Sequence, residues 1–135
     1  MYCAGTAKSG CKQHTTKCGN DTCDGGAGDD IIRGGQNNDS LNGGAGADYV
    51  SGDRGDDTVQ GGSGADIFHS FAEAGIDRVL DFNLAEGDRV QLDPGTVYTV
   101  SQSGADTVIN MVGGGQVILV GIQMSSLTTG WIFGA

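Results

Sequence analysis

The sequence predicts an all-β chain that begins as a stack of short coils and ends in a group of longer strands. Three observations lead to this prediction. Glycine is unusually frequent, with 26 Gly and a single Pro in 135 residues, whereas ordinary usage is roughly 7% Gly. A nine-residue unit recurs through the middle of the chain. From Thr96 onward, apolar and polar residues alternate as they do in half-buried strands.

The charge of the chain limits the kinds of partner it can have. It carries 17 acidic and 7 basic side chains, for a formal net charge of −10. A nucleic-acid-binding surface needs clustered Lys and Arg, so this function is not expected. The longest dense apolar run, residues 117–120, is too short to span a membrane. A cation is the partner that this charge favours.

Charge and glycine are unevenly distributed along the chain. Residues 1–18 hold all three Lys and three of the four Cys. Residues 20–66 hold ten Asp but only two Arg, and half of all glycines fall within residues 25–64. Residues 94–135 contain one acid, Asp106, and neither Lys nor Arg. The central part therefore carries the acidic charge and the glycine together.

The central part is built on a nine-residue period. Complete units begin at Gly25, Gly34, Gly43, Gly52 and Gly61, the first of them being GGAGDDIIR. A weaker unit begins at Thr16. The sixth position is always aspartate: Asp21, Asp30, Asp39, Asp48, Asp57 and Asp66. The eighth is apolar or weakly so: Cys23, Ile32, Leu41, Val50, Val59 and Phe68.

Each unit predicts one turn and one short strand. Glycines at the first, second and fourth positions allow turn conformations that are closed to residues with a Cβ, and they let carbonyl oxygens approach one point. In the three residues after Asp, a period of two places the eighth side chain on one face and its neighbours on the other. Two units then complete one coil, and successive coils stack at the strand spacing of roughly 4.7–4.9 Å.

Such a stack needs a bound cation. Each unit buries about one apolar side chain, and this gain does not balance the conformational entropy lost when nine residues become ordered. Stacking also places the aspartates in two rows, where like charges repel. A hard cation held by carboxylates and carbonyls would cancel the repulsion and contribute folding free energy. An all-oxygen, flexible ligand set favours Ca²⁺.

This repeat resembles that of the RTX (repeats-in-toxin) family, also called hemolysin-type repeats, whose unit is GGxGxDxUx, over residues 16–69. The resemblance implies a right-handed parallel β-roll with calcium bound between turns one full coil apart. It places Asp21, Asp39 and Asp57 on one edge, and Asp30, Asp48 and Asp66 on the other. By the same analogy, backbone carbonyls complete the coordination at Gly26, Gly28, Gly35, Gly44, Gly46, Gly55, Gly62 and Gly64.

Two units depart from the family pattern. Asn37 replaces the fourth glycine of the second unit, a tolerable exchange because Asn adopts left-handed conformations more readily than most residues. Asp53 occupies a second position, where it would add either a ligand or only more charge.

The segment after the repeats is similar to the closing segment of RTX modules. Residues 70–75 are predicted to form a short helical turn. In the following DxUxDF stretch, Asp77 is expected to complete a terminal calcium site, with Asp81 a weaker candidate. Alternatively, both carboxylates only protect the edge of a final strand.

The chain is therefore divided into four parts. We expect an N-terminal arm at 1–15, the repeats at 16–69, a closing segment at 70–93 and an antiparallel cap at 94–135. Within the cap, residues 113–115 predict a hairpin turn. By resemblance, this region carries a type I secretion signal. An ordinary cap that buries Trp131 and Phe133 is the alternative, and both interpretations are compatible.

The cysteines and histidines have simpler interpretations. Cys23 lies at an inward-facing position and is expected to be a buried thiol. Three other cysteines could form one disulfide or, with His14, bind zinc, although their spacing matches no usual zinc site; they are Cys3, Cys11 and Cys18. His69 lies at an outward position and is expected to be solvated.

The leading hypothesis is a calcium-binding module of a secreted bacterial protein, which folds on meeting calcium after type I export. No HExxH, GxSxG or GxxxxGK[ST] motif is present, so this chain is not expected to be an enzyme by itself. Two alternatives remain: the C-terminal module of a secreted protease or lipase, and an adhesin or surface-layer element. An ice-binding surface is disfavoured because the outward positions do not form a uniform Thr row.

Overall fold

The computed structural model describes residues 13–15, 20 and 22–135, the first three as backbone only. Short 3₁₀ turns lie at Leu84–Glu86 and Met124–Ser126. The strands of the described residues are β1 (Gln13–Thr15), β2 (Thr22–Asp24), β3 (Ile31–Arg33), β4 (Ser40–Asn42), β5 (Tyr49–Ser51), β6 (Thr58–Gln60), β7 (Ile67–Ser70), β8 (Ile76–Val79), β9 (Arg89–Leu92), β10 (Tyr98–Ser103), β11 (Asp106–Met111), β12 (Gln116–Leu119) and β13 (Ile132–Phe133).

Successive strands of the repeat alternate between two sheets and pair in parallel within each of them. One has the strand order β1-β3-β5-β7-β9-β13, and the other has the order β10-β11-β12-β8-β6-β4-β2. In the first sheet, Ile31 pairs with Tyr49 and Tyr49 pairs with Ile67. Each pairing therefore spans two nine-residue units, or one coil. The predicted fold class, an all-β roll followed by antiparallel strands, is confirmed.

The core lies between the two sheets. The eighth-position side chains all point into it, from Cys23 through Phe68, and are at most 3% exposed. Ile31 and Ile32 show the alternation within one strand, since they are 44% and 0% exposed. At the C-terminal end, Phe82 packs edge-on against Trp131 with ring centroids 6.3 Å apart. Trp131 is buried as expected, whereas Phe133 remains 38% exposed.

The predicted helical turn at residues 70–75 is wrong. Strand β7 extends through Ser70, which pairs with Leu92 of β9, and a simple turn follows at residues 72–74. The Ser70 hydroxyl donates a hydrogen bond to Asp77 Oδ2 at 3.2 Å. Pairing with β9 therefore keeps this residue in the sheet.

The C-terminal strands form a cap that continues one of the sheets. β10 and β11 are antiparallel, as are β11 and β12, and residues 113–115 make the predicted hairpin turn. β12 then lies parallel to β8. The cap is thus joined directly to the roll through the seven-stranded sheet. No helix in the described part of the chain is long and apolar enough to cross a membrane.

A polar network crosses the outer face of the six-stranded sheet and corrects the prediction for His69. Arg33 contacts Asp53 through two guanidinium nitrogens, and Ser51 Oγ donates to Asp53 Oδ1 at 2.8 Å. His69 Nδ1 lies 3.1 Å from Ser51 Oγ, and its Nε2 lies 2.7 Å from Asp93 Oδ1. The His69 side chain is only 12% exposed. It is therefore a connecting residue between the roll and the segment that leads into the cap.

The alternation in β3 provides a stability test. Ile32→Ala should reduce the free energy of unfolding in saturating calcium by about 2–5 kcal/mol, because it leaves a cavity in a closed core. Ile31→Ala, one residue away on the exposed face, should cost much less. Urea denaturation followed by circular dichroism measures both, and equal losses would contradict this assignment of inner and outer faces.

Candidate metal centre

The sixth-position aspartates stack into ladders that run from coil to coil. In the first ladder, the amide of each aspartate donates to the carboxylate one coil further on. Asp30 N to Asp48 Oδ1 is 2.8 Å, and Asp48 N to Asp66 Oδ1 is 2.9 Å. The ladder ends with Asp66 N donating to Asp88 Oδ1, also at 2.9 Å.

The second ladder lies on the other edge. Asp39 N donates to Asp57 Oδ1 at 2.7 Å, and Asp57 N donates to Asp77 Oδ1 at 3.3 Å. Asp77 therefore continues the row of repeat aspartates, the position that its predicted role requires. Asp21 lies outside the described residues, as do Cys3, Cys11 and Cys18.

Two carboxylates at the closing end, Asp88 and Asp81, have roles that the sequence did not predict. Asp88 was missed because it lies 22 residues after Asp66, outside the nine-residue register. Its Oδ2 also accepts from the amide of Asn83 at 2.8 Å. Asp81 accepts from the amides of Gly61 and Gly62 at 2.9 and 2.8 Å. Asp81 thus holds the turn of the last repeat instead of joining a ladder.

The ladder carboxylates are buried, and two of them have an oxygen without a hydrogen-bond partner. The described members of both ladders are at most 3% exposed. The Oδ2 atoms of Asp57 and Asp66 are buried without a hydrogen-bond partner. Since most buried polar atoms in proteins are hydrogen bonded, these oxygens are candidate metal ligands.

Burial and mutual repulsion make these carboxylates reluctant to ionise. Burial raises the pKa of Asp66 to about 7, and the negative charges of Asp88 and Asp48 add to the effect. Burial also raises the pKa values of Asp57 and Asp77, which face each other. Burial raises the pKa of Asp88 as well. Ionised ladders therefore require compensating positive charge.

The first glycine of each unit makes room for the carboxylate of the same unit. A Cβ on Gly43 would lie 2.5 Å from Asp48 Oδ2 and 2.6 Å from Gly61 O. A Cβ on Gly34 would lie 2.6 Å from both Asp39 Oδ2 and Gly52 O. These glycines do not have positive φ. Glycine is therefore required at these first positions because a side chain would not fit. The sequence analysis attributed the requirement to turn conformation as well.

The second and fourth positions of the units do adopt left-handed conformations. The glycines predicted as carbonyl ligands all have positive φ: Gly26, Gly28, Gly35, Gly44, Gly46, Gly55, Gly62 and Gly64. Asn37 and Asp53 share this conformation, with φ of 77° and 64°. The predicted tolerance of Asn at a fourth position is confirmed. Asp53 is paired with Arg33, so its carboxylate is already engaged.

The predicted carbonyl ligands differ in their hydrogen bonding. At second positions, the carbonyl accepts from the next coil: Gly26 O from Ala45 N at 2.8 Å, and Gly44 O from Ser63 N at 2.9 Å. At fourth positions, the amide donates instead, as from Gly28 N to Ala45 O at 2.8 Å. The fourth-position carbonyls therefore have more capacity left for a cation.

A further row of side chains, at the fifth position, was not predicted. Asn38 N donates to Asn20 Oδ1, Ala47 N to Asp29 Oδ1 and Asp56 N to Asn38 Oδ1, at 3.1, 2.8 and 2.9 Å. Here the side chain accepts from the following coil, opposite to the sixth-position ladders. The recurrence of Asn or Asp at this position was the signal that could have revealed the row.

The donor set fits calcium better than a softer metal. In residues 20 and 22–135, no three His, Cys, Asp or Glu side chains converge to form a metal cage of their own. A cation bound here must combine carboxylates with backbone carbonyls, which is the ligand chemistry that Ca²⁺ prefers. The buried Oδ2 atoms and the glycine rows supply both kinds of oxygen.

A parallel roll with carboxylate ladders along its turns defines a class of calcium-binding repeat proteins. The chain belongs to the RTX family: the model of the RTX calcium-binding nonapeptide repeat matches residues 19–50 and 42–70. RTX nonapeptide repeats bind calcium, and calcium is accordingly the cofactor of this module. No curated protein sequence matches the chain.

Several solved structures share the fold, including the two that follow. The chain is similar to a subunit of the mannuronan C5-epimerase from Azotobacter vinelandii, with 30% identity and a TM-score of 0.66 over 86% of this chain and 78% of that one. It is also similar to an extracellular lipase from Serratia marcescens, with 24% identity and a TM-score of 0.55. That match covers 84% of this chain but 21% of the lipase, and it shows the fold alone.

The raised carboxylate pKa values predict opposite effects of pH with and without calcium. A group whose pKa rises on folding stabilises the fold below its unfolded pKa, about 3.9 for Asp, and this contribution is lost as pH rises through the folded value. In chelator, the strand signal should therefore decline from about pH 4.5 to pH 8, over the range set by the pKa of Asp66, which is about 7. In calcium, acid should instead weaken the fold because protons compete for the ligands.

Circular dichroism across this pH range, in chelator and in calcium, measures both trends. Asp66→Asn should flatten the decline in chelator, since it removes one of the titrating groups. A strand signal in chelator that is unchanged between the two pH values would contradict the prediction.

Proposed function

We propose that this chain is a calcium-dependent folding module of a secreted bacterial protein. At neutral pH without calcium the repeats remain unfolded, and calcium binding drives formation of the roll. The observation that carries the proposal is the burial of two carboxylate ladders. The basic side chains of Arg33, Arg54 and His69 contact Asp53, Glu73 and Asp93, which lie outside the ladders.

Calcium would bring positive charge to these buried carboxylates. We propose the repeat aspartates and the closing aspartate as its carboxylate ligands: Asp21, Asp30, Asp39, Asp48, Asp57, Asp66 and Asp77. The left-handed glycines would contribute carbonyls. Because these oxygens meet only when coils are stacked, the binding free energy is folding free energy.

Calcium-dependent folding would allow the chain to be exported before it folds. A chain that stays unfolded at low calcium passes through a secretion channel more easily than a folded roll. Extracellular calcium-binding modules commonly have Kd values of roughly 10⁻⁴–10⁻³ M, so folding would begin outside the cell. RTX repeats are typical of secreted bacterial proteins, which supports an extracellular location and type I export.

The proposed role is structural rather than catalytic. The alternative is that the chain is the calcium-binding end of a larger secreted enzyme, such as a protease or lipase. The match to the Serratia lipase covers most of this chain but only a small part of the lipase, so there the fold is one part of a larger enzyme. This favours the alternative as the second candidate. An adhesin or surface-layer element also remains open.

A charge-neutral substitution tests the ladder as the calcium site. Asp66→Asn keeps an oxygen that can accept a hydrogen bond but removes a carboxylate ligand, so calcium affinity should fall by about tenfold or more. Asp106→Asn removes the same charge from the cap, where Asp106 accepts from Gly121 N at 2.7 Å, and should leave affinity unchanged. Calorimetric calcium titration of both variants gives the comparison.

Folding is measured in parallel by circular dichroism and thermal denaturation. The native chain should gain strand signal on calcium addition, and its Tm should rise with calcium concentration. Full strand content in chelator at neutral pH, with a Tm independent of calcium, would rule out calcium-driven folding.

Export depends on a different part of the chain and needs its own test. In a bacterium with a type I system, a passenger protein fused to the chain should reach the medium. Removing residues 94–135 should abolish its release, and the substitution Asp66→Asn should not. Secretion of the shortened fusion would place the export signal outside the cap.

A further inference from the structure

Strand β10 leaves one edge of the seven-stranded sheet open. It pairs with β11 on one side only, from Tyr98 opposite Met111 to Ser103 opposite Asp106. All six of its residues are exposed or half-buried. The other terminal strands of the described sheets have only two or three residues. β10 is therefore the longest open edge in the described part of the chain.

The register shows which backbone groups point outward. Val112 N donates to Val97 O at 2.9 Å, so these two residues form a hydrogen-bonded antiparallel pair. Such pairs alternate along an antiparallel ladder. Thr99, Ser101 and Ser103 then bond to β11, whereas the N–H and C=O groups of the three intervening residues face away from it: Tyr98, Val100 and Gln102.

Nothing in the composition of this edge opposes pairing with another strand. Natural sheets protect their edges with charged residues, Pro or bulges, but residues 98–103 contain no charge and no Pro, and their ladder is regular. Val97, which precedes the strand, is 66% exposed.

The charge distribution indicates the partner. Of the net charge of −10, all but the single charge of Asp106 lies on residues before the cap. Two copies of an acidic chain repel each other over most of their surfaces. The cap is where they can approach, and its open strand is short, uncharged and compatible with a copy of itself.

We propose that two copies of this chain pair through β10, antiparallel about a two-fold axis at Val100, so that their seven-stranded sheets become continuous. Val100 would exchange two hydrogen bonds with its copy, and Tyr98 would pair with Gln102 of the second copy. Thr99 would then lie opposite Ser101 across the axis, on the outer face. This dimer uses the cap alone and does not depend on which ligands hold calcium.

Sedimentation equilibrium of the full chain in calcium, over a dilution series, tests the dimer. We expect a transition from 13.7 kDa to twice that mass as concentration increases. The double substitution Thr99→Lys/Ser101→Lys places like charges opposite each other and should weaken association by about tenfold or more. Thr99→Lys/Ser101→Asp places opposite charges across the same axis and should restore association.

Two further measurements complete the test. Thr128→Lys/Thr129→Lys adds the same charge at exposed positions outside the strands and should leave association unchanged. In the dimer, amide exchange should slow at Tyr98, Val100 and Gln102. A native chain that stays monomeric at every concentration would overturn the proposal. A dimer that persists unchanged in the double lysine variant would also overturn it.

Discussion

The hydrogen bond from each repeat aspartate's amide to a carboxylate one coil later is the interaction on which the rest of the roll depends. It places carboxylates in buried rows about one strand spacing apart, where ionised groups repel. The first glycine of each unit must lack a Cβ because a carboxylate lies against it, as Gly43 shows with Asp48. Burial within the row raises the pKa of Asp66, and the neighbouring carboxylates add to the effect. The fold and its need for a cation therefore have one cause.

Much of this arrangement was predictable because each unit forms one complete structural element. The period of nine predicted the strands of the repeat, and the apolar eighth position predicted the core. Ile32, at an eighth position, is buried, whereas its neighbour Ile31 is exposed. The stack of coils followed from the need to bury that single side chain. The two rows of aspartates followed from the same geometry, and the structure places Asp30 with Asp48 and Asp39 with Asp57.

The features that the sequence did not reveal involve partners outside that period. Asp88 completes a ladder from 22 residues beyond Asp66, across a turn whose length no repeat specifies. His69 was assigned to solvent from its outward position, yet its neighbours, Ser51 and Asp93, come from another coil and from the segment before the cap. Alternation along a strand shows which face a side chain takes. It does not show which distant residues share that face.

The coil of 18 residues, seen in the pairing of Ile31 with Tyr49, limits how such a chain can change in length during evolution. Deleting one nine-residue unit would move every later strand to the opposite sheet. The aspartates that follow would likewise change rows relative to those before the deletion, whereas β8 and β12 would move together and keep their pairing. Deleting or inserting two units would preserve each pairing and alter only the number of coils. A change of whole coils therefore keeps the earlier coils in their present phase relative to the cap, which joins the roll at β8.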